Sequence, residues 1–161
     1  MEIKVELTKH PKQKPDMNHL GFGNYYTDHM FEMDYTEGIG WHDARIVPYH
    51  SLEMDPASMV LHYGQSTFEG LKAYRGQDGT IRLFRPEKNM ERLNISNQRL
   101  VIPQFDAEFG VEAIKKLVSI DRDWIPEGEG TSLYIRPFII ATDVHVGVHP
   151  RWKRPCGVPI F

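Results

Sequence analysis

The residues best suited to hold a ligand lie in the stretch HYGQSTFEGLKAYR, His62 to Arg75, which combines two glycines, three aromatic rings and a glutamate. Its spacing matches neither the phosphate loop G-x-x-x-x-G-K-[ST] nor the dinucleotide pattern G-x-G-x-x-G, which disfavours a phosphate loop. Two interpretations stay open. The stretch could form a pocket wall, where glycine lets backbone approach a ligand and aromatic rings supply stiff contact area, or a corner of the core.

Two arginines are the next candidates for chemistry. Arg136 lies in the apolar run TSLYIRPFIIATD, and burying a guanidinium is costly unless a carboxylate, a phosphate or a ring answers it. From the residues alone, Arg136 could pair with a group inside the fold or could belong to a substrate or cofactor site. Arg92 lies at the edge of an apolar helix stripe, where most arginines are simply solvated.

Metal and thiol chemistry find little support. His145 and His149 are spaced as two zinc ligands could be, but no Cys pair and no H-E-x-x-H pattern accompanies them. Cys156 has no local signature of a nucleophile. We therefore expect no metal site and no cysteine-based catalysis.

Length and composition narrow the class of protein. A chain of 161 residues with 40% apolar residues is long enough for one domain with a real core. The net charge of −3 disfavours a nucleic-acid surface. A single cysteine, no signal-like amino terminus and no apolar run near the ~18 residues of a membrane span predict a cytoplasmic protein.

The first half of the chain predicts strands, a short helix and a hairpin. The first twenty residues predict an extended arm without a packed element. Residues 30–35 and 41–47 have strand composition and flank the turn-rich TEGIG. Asp55 and Pro56 predict a helix start, and Gly64 should end that helix. FEGLKAYR and TIRLF flank an Asp-Gly pair, which predicts a hairpin.

The second half predicts two helices and a strand. Pro86 should open one helix, whose mostly apolar stripe recurs at steps of three and four: Met90, Leu93, Asn97, Leu100 and Val101. Asp106 should cap a second helix. In TSLYIRPFIIATD a period of two places Tyr134 and Arg136 on one face. Strands and helices without a strict βαβ rhythm predict an α+β fold with a mainly antiparallel sheet.

Four blocks of the chain resemble, in order and spacing, the amino-terminal part of branched-chain-amino-acid aminotransferases: FGNYYTDHMF, LHYGQSTFEGLKAYRG, IRLFRPEKNMERL and TSLYIRPFIIATD. The resemblance covers about residues 22 to 148. It implies a pyridoxal 5′-phosphate (PLP) enzyme of fold type IV, the D-amino-acid-aminotransferase-like fold, in which a small α+β domain and a larger domain enclose the cofactor. The implied enzyme is a homodimer of branched-chain amino-acid biosynthesis, which transfers the amino group of Leu, Ile or Val to 2-oxoglutarate, giving glutamate.

The resemblance also implies roles for individual residues. Arg92, in NMERL, resembles the arginine that holds the cofactor phosphate, a task that suits a guanidinium fork. Arg136 resembles an arginine of the substrate pocket that helps to accept the second carboxylate of glutamate. Four aromatic residues resemble the wall around the branched side chain: Phe22, Tyr63, Phe68 and Tyr134.

The resemblance also implies roles at the edges of this pocket. Tyr63 is expected near the substrate carboxylate as well as in the wall. Gly147 and Val148, in VGV, resemble the interdomain loop that closes the site partly across a dimer interface, with Val148 contacting substrate. The resemblance thus assigns six substrate-binding residues and one cofactor-binding residue to the chain.

The chain departs from the family pattern in two respects. The resemblance places the Schiff-base lysine in the larger domain, and the nine lysines here, including Lys72, match none of the family's catalytic positions. Transamination needs such an amine, so we expect the chain alone to be inactive. The segment RWKRPCGVPIF, after His149, also looks unlike the family and indicates a truncated or altered chain.

The predicted organisation has three parts: an arm at 1–21, a small α+β domain at 22–143, and an interdomain-loop remnant with an atypical tail at 144–161. Two alternatives to a branched-chain aminotransferase domain remain. One is a D-amino-acid aminotransferase-like enzyme or an aminodeoxychorismate lyase of the same fold. The other is a non-catalytic domain that acts as a binding or assembly module, which the unusual tail would favour.

Overall fold

The computed structural model describes residues 1–17 and 19–147, together with the backbone of Cys156–Ile160. These residues form strands, helices and one short 3-10 helix, Arg122–Trp124, which follow one another without strict alternation. The α-helices are α1 (Met59–Tyr63), α2 (Pro86–Arg99) and α3 (Ala107–Ile120). The strands are β1 (Lys4–Val5), β2 (His29–Thr36), β3 (Gly40–Pro48), β4 (Ser66–Phe68), β5 (Leu71–Arg75), β6 (Ile81–Leu83), β7 (Leu133–Ile135), β8 (Phe138–Ala141) and β9 (Cys156–Ile160).

The strands form two sheets, with orders β1-β3-β2-β9-β8-β4 and β6-β5-β7. All pairs are antiparallel except β1 with β3, which confirms the predicted α+β class with mainly antiparallel strands. Two chain segments change sheet at the same place. Glu69 and Gly70 join β4 to β5, Arg136 and Pro137 join β7 to β8, and the Glu69 N–H donates to the Pro137 carbonyl at 2.8 Å.

The long helices follow their sequence signals. Pro86 occupies the first turn of α2, and Asp106 caps α3 by accepting the N–H groups of Glu108 and Phe109, as predicted. The helices pack on each other and on the sheets around a core whose members include Phe31, Ile46, Met90, Leu93, Ile114 and Ile139. The strand predictions at 30–35 and 41–47 and the hairpin of β5 and β6 are also confirmed.

The helix predicted to begin at Asp55 and Pro56 begins later. Asp55 Oδ1 accepts the Ala57 N–H at 2.7 Å and so closes a turn rather than a helix. Ser58 is the N-cap residue, and α1 runs only from Met59 to Tyr63. Gly64, with φ of 61°, ends it as predicted.

The amino-terminal arm is packed in its first part, so the prediction that it lacks a packed element is wrong there. Ile3 is buried, and β1 adds a parallel strand to β3. The Thr8 N–H donates to His29 Nε2 at 2.9 Å, while His29 Nδ1 donates to Asp121 Oδ1 at 2.7 Å. This buried relay ties the arm and the end of α3 to β2, a contact between distant residues that local sequence does not reveal.

The carboxyl-terminal segment also differs from expectation. The sequence predicted no regular element after the strand that ends near Asp143, yet the backbone of Cys156–Ile160 forms β9 between β2 and β8. The physical reason is that β2 and β8 each present a row of backbone groups, and a strand placed between them can pair on both sides.

Helix α2 ends in a Schellman arrangement with an unusual residue in it. The Ile102 N–H donates to the Asn97 carbonyl at 2.8 Å, and the Val101 N–H donates to the Gln98 carbonyl. Val101, at φ of 57°, therefore occupies the left-handed position that glycine normally takes, and it is 64% exposed. The predicted apolar stripe is confirmed at Met90, Leu93 and Asn97 but is wrong at Leu100 and Val101, where the chain turns away from the core.

Replacing Val101 by glycine is expected to stabilise the protein. An L residue in the left-handed region costs about 1–2 kcal/mol, and the greater freedom of glycine in the unfolded chain returns roughly half of that. We expect Val101→Gly to raise the free energy of unfolding in urea by about 0.5–1 kcal/mol. Val101→Ala keeps the Cβ atom and should give no such gain; equal gains from both variants would contradict the backbone explanation.

Candidate functional site

The predicted site residues converge where the two chain segments change sheet. Phe68 ends β4, Tyr134 lies in the middle of β7, and Arg136 lies in the link between β7 and β8. Register places Phe68 opposite Phe138 and Tyr134 opposite Lys72. Of Phe68, Tyr134 and Arg136, only Arg136 lies in a link between the two sheets, outside the alternation of a strand.

Four predicted residues form one contact group, here called the aromatic wall: Phe22, Phe68, Tyr134 and Arg136. The rings of Phe22 and Tyr134 meet edge to face with centroids 5.1 Å apart. The Arg136 guanidinium lies over the Phe68 ring at 4.6 Å and donates to Tyr134 Oη from Nε at 3.1 Å and from Nη2 at 2.8 Å. Phe22 is 73% exposed and Phe68 62% exposed, so the wall is open to solvent on one side.

Gly70 sets the position of Tyr134. A Cβ atom built on Gly70 would overlap Tyr134 Oη and lie 3.0 Å from Cζ of the same ring. Any side chain here would require the Tyr134 ring to move from this position. The sequence left two interpretations open for this stretch, a pocket wall and a corner of the core. The close approach of Tyr134 to Gly70 supports the pocket wall.

Arg92 is held by a neighbour of the wall. Its Nε donates to Glu69 Oε1 at 2.5 Å, and its Nη2 donates to Glu69 Oε2 at 2.7 Å. Asn89 Nδ2 donates to Glu69 Oε2 at 3.0 Å and to the Gly70 carbonyl at 3.1 Å. Glu69 is only 6% exposed, whereas the Arg92 side chain is 66% exposed. The pair thus has a buried acidic end and an open basic end.

The electrostatics of this pair favour its charged form. Burial alone would raise the pKa of the Glu69 carboxyl, but hydrogen bonds from Arg92, Asn89 and the Gly70 N–H outweigh burial and lower that pKa. The hydrogen bond with Glu69 in turn raises the pKa of the Arg92 guanidinium. The bidentate pair uses two of the five N–H donors of the guanidinium, so three lie outside it.

Tyr63 belongs to a different contact group. Its hydroxyl donates to the Val146 carbonyl, which connects the end of α1 with the segment before Gly147. Val148, predicted to contact substrate from the same segment, lies outside the described residues, and so does His149 of the possible zinc pair. In the part of the chain that the structure describes, no group of three potential metal ligands comes together.

Two cavities border these elements. One, of about 170 Å³, is lined by three members of the wall, Phe22, Tyr134 and Arg136, together with Tyr49 and Trp124. A wider cavity of about 730 Å³ lies between the β5–β6 hairpin and α3. Its lining contains none of the predicted site residues, so size alone does not identify the site.

Glu69 and Asn89 are site residues that the sequence interpretation did not assign. The available signal was a glutamate between two strands of apolar composition, since a carboxylate in that position must be answered by a donor when it is buried. The arginine that pairs with this glutamate lies 23 positions later and cannot be identified from the pattern alone.

No helix among the described residues is long and apolar enough to cross a membrane.

The chain is similar in sequence to branched-chain-amino-acid aminotransferases. No family model matches the chain. It is 64% identical over 146 residues to branched-chain-amino-acid aminotransferase 2 of Bacillus subtilis (strain 168), a match that covers 91% of this chain and 40% of that protein. It is 56% identical, with the same shares, to a probable branched-chain-amino-acid aminotransferase of Staphylococcus aureus (strain N315). The chain therefore spans about 40% of the length of these relatives.

Solved structures agree with the sequence relatives. The branched-chain amino acid aminotransferase from Escherichia coli is 26% identical with a TM-score of 0.59, covering 83% of this chain and 41% of that one. The T.th. branched-chain amino acid aminotransferase, complexed with N-(5′-phosphopyridoxyl)-L-glutamate, is 27% identical with a TM-score of 0.57, covering 81% and 40%. The fold implied by the family resemblance is confirmed.

Replacing Gly70 by alanine should disturb the wall. Crowding of this kind costs about 1–3 kcal/mol of unfolding free energy, and we expect Gly70→Ala to cost about 1–2 kcal/mol in urea unfolding because only the end of one tyrosine must move. In a Tyr134→Phe background the closest clashing atom is absent, so the cost should fall. Equal costs in both backgrounds would show that the strain lies elsewhere.

The Glu69–Arg92 pair should make stability depend on pH in acid. Because the pKa of Glu69 is lowered in the folded state, its contribution is fully present above the ordinary glutamate pKa of about 4.3 and is lost as pH falls through the lowered value. Wild type should therefore be more stable than Glu69→Gln at pH 7, and the difference should shrink in acid below about pH 4. Urea unfolding across this range measures it, and a constant difference would contradict the assignment.

Proposed function

We propose that this chain, a relative of branched-chain-amino-acid aminotransferases, serves as their small domain and supplies the cofactor-phosphate arginine and one wall of the substrate pocket. The proposed reaction transfers the amino group of Leu, Ile or Val to 2-oxoglutarate with PLP as cofactor, in a homodimer. In this proposal residues 22–143 form the small domain, 1–21 its arm, and 144–161 begin with the interdomain loop. The observation that carries it is the joining of Arg92 to the aromatic wall through the segment Phe68–Gly70.

The residues present fit a phosphate group. The side-on edge of the Arg92 guanidinium is taken by Glu69, while the end-on edge, which carries Nη1, is outside that pair on a 66% exposed side chain. A guanidinium edge of this kind binds phosphate oxygens with charge-assisted hydrogen bonds. The complex of a relative with a phosphopyridoxyl compound supports the same chemistry.

The wall suits the two kinds of substrate that the reaction needs. Phe22, Phe68 and Tyr134 offer ring surface to a branched aliphatic side chain and exclude water from it. The Arg136 guanidinium, stacked on Phe68 with its side-on edge held by Tyr134, can offer its remaining donors to the second carboxylate of glutamate.

The chemistry is divided between cofactor and protein. When bound, PLP supplies the ring that accepts the electron pair of the bond broken at the substrate's α-carbon. Arg92 would anchor the phosphate and so fix the ring's position, while the wall would orient the substrate side chain. The family resemblance places the Schiff-base lysine in the larger domain, and this chain covers 40% of the relative's length. The covalent step is therefore proposed for the part of the enzyme that this chain does not cover.

A chimeric enzyme tests this function. Residues 1–147 of this chain replace the corresponding part of the Bacillus subtilis aminotransferase 2, and formation of glutamate from leucine and 2-oxoglutarate is measured. We expect activity with Leu, Ile and Val and none with D-alanine, and we expect Arg92→Ala to raise the Kd for PLP by about tenfold or more.

Arg99→Ala is the matched control, because Arg99 is an exposed arginine at the end of the same helix. It should leave the Kd for PLP unchanged. A folded chimera without transamination, or one that prefers D-alanine, would refute the proposed function. Unchanged PLP affinity in Arg92→Ala would refute the role of Arg92.

A further inference from the structure

We propose that Glu69 is a positioning residue for phosphate binding: it holds the side-on edge of Arg92 and so directs the guanidinium's end-on edge to the phosphate. The inference rests on the proposed function of Arg92 and adds a residue to it. It starts from the contrast between the two side chains, since Glu69 is 6% exposed and Arg92 is 66% exposed.

The pair with Glu69 restricts the side chain of Arg92. An exposed arginine on a helix surface samples many rotamers, and binding an anion with it requires that this freedom be lost. The two bonds from Nε and Nη2 to a buried carboxylate remove that freedom before any ligand arrives. Preorganisation of one side chain of this type is worth about fivefold in affinity.

Glu69 is itself held through both its backbone and its carboxylate. Its backbone N–H donates to the Pro137 carbonyl at 2.8 Å, and its carboxylate accepts from Asn89, which also donates to the Gly70 carbonyl. Asn89 lies one turn before Arg92 on α2. The carboxylate is therefore fixed both to the sheet-changing link and to the helix that carries the arginine.

Positioning of Arg92 and neutralisation of its charge would have opposite effects on phosphate binding. If Glu69 merely cancelled the charge of Arg92, it would compete with phosphate, and its removal would strengthen phosphate binding. The bidentate geometry instead predicts that removal of Glu69 weakens phosphate binding. Glu69 occupies one edge of the guanidinium and leaves Nη1 and one N–H of Nη2 outside the pair.

The probe is pyridoxine 5′-phosphate, compared with pyridoxine. Neither has an aldehyde, so neither forms an imine with a lysine, and the ratio of their affinities isolates the phosphate contribution. The chain is titrated with each compound, and binding is followed by NMR at the Arg92 Nε–H and the Gly70 N–H. We expect wild type to bind the phosphate ester about tenfold more tightly than pyridoxine.

Glu69→Gln keeps the shape of the side chain but removes the charge and one acceptor oxygen. We expect it to lose about fivefold of the phosphate-dependent ratio, with the affinity for pyridoxine unchanged and the Arg92 Nε–H less protected from solvent. A merely structural role would instead weaken both ligands equally. Glu91→Gln is the matched control: Glu91 precedes Arg92, is half exposed and pairs with Lys88, so the ratio should stay at the wild-type value.

The results distinguish a failure of the positioning role of Glu69 from a failure of phosphate binding by Arg92. A wild-type ratio that is retained or increased in Glu69→Gln, or an equal loss for both ligands, overturns the positioning role and leaves the function of Arg92 standing. A wild-type ratio near one overturns phosphate binding by Arg92, and with it both the proposed function of this arginine and the inference.

Discussion

The buried carboxylate of Glu69 is the constraint on which the site depends. A carboxylate that is almost entirely removed from water must be answered by donors, because an unpaired buried charge is too costly to persist. Here the donors come from three directions: the guanidinium of Arg92, the amide of Asn89 and the N–H of Gly70. Satisfying this single group therefore connects α2, which carries Asn89 and Arg92, to the link that follows β4.

Glu69 also lies in one of the two links that cross between the sheets. Strands β4 and β8 pair in one sheet while β5 and β7 pair in the other, so the chain must cross between sheets twice. The two crossings are joined by the hydrogen bond from Glu69 to Pro137. Arg136 lies in one of these links, while Phe68 and Tyr134 belong to the strands on either side of them, so two rings and a guanidinium meet beside the crossing.

Local signals in the sequence predicted those parts of the fold that local physics determines. The cap at Asp106, the proline opening α2, the turn at Gly64 and the β5–β6 hairpin each depend on residues within a few positions. The packed arm does not, because it rests on His29 bonding to Thr8 and Asp121, up to 92 positions away. The left-handed turn at Val101 could not be predicted, because valine normally avoids that backbone conformation.

Several residues of the candidate site were assigned from the sequence, whereas their contacts with one another depend on the fold. Phe22, Phe68, Tyr134, Arg136 and Arg92 were assigned by resemblance to a family, and the contacts of the first four with one another are a property of the fold. The two arginines share a physical device: each has the side-on edge of its guanidinium taken by a protein acceptor, Glu69 for Arg92 and Tyr134 for Arg136. Because the planar fork has donors on two edges, occupying one edge orients the other without neutralising every donor. Rigidity in an open, solvent-facing wall can therefore come from edge-on hydrogen bonds as well as from burial.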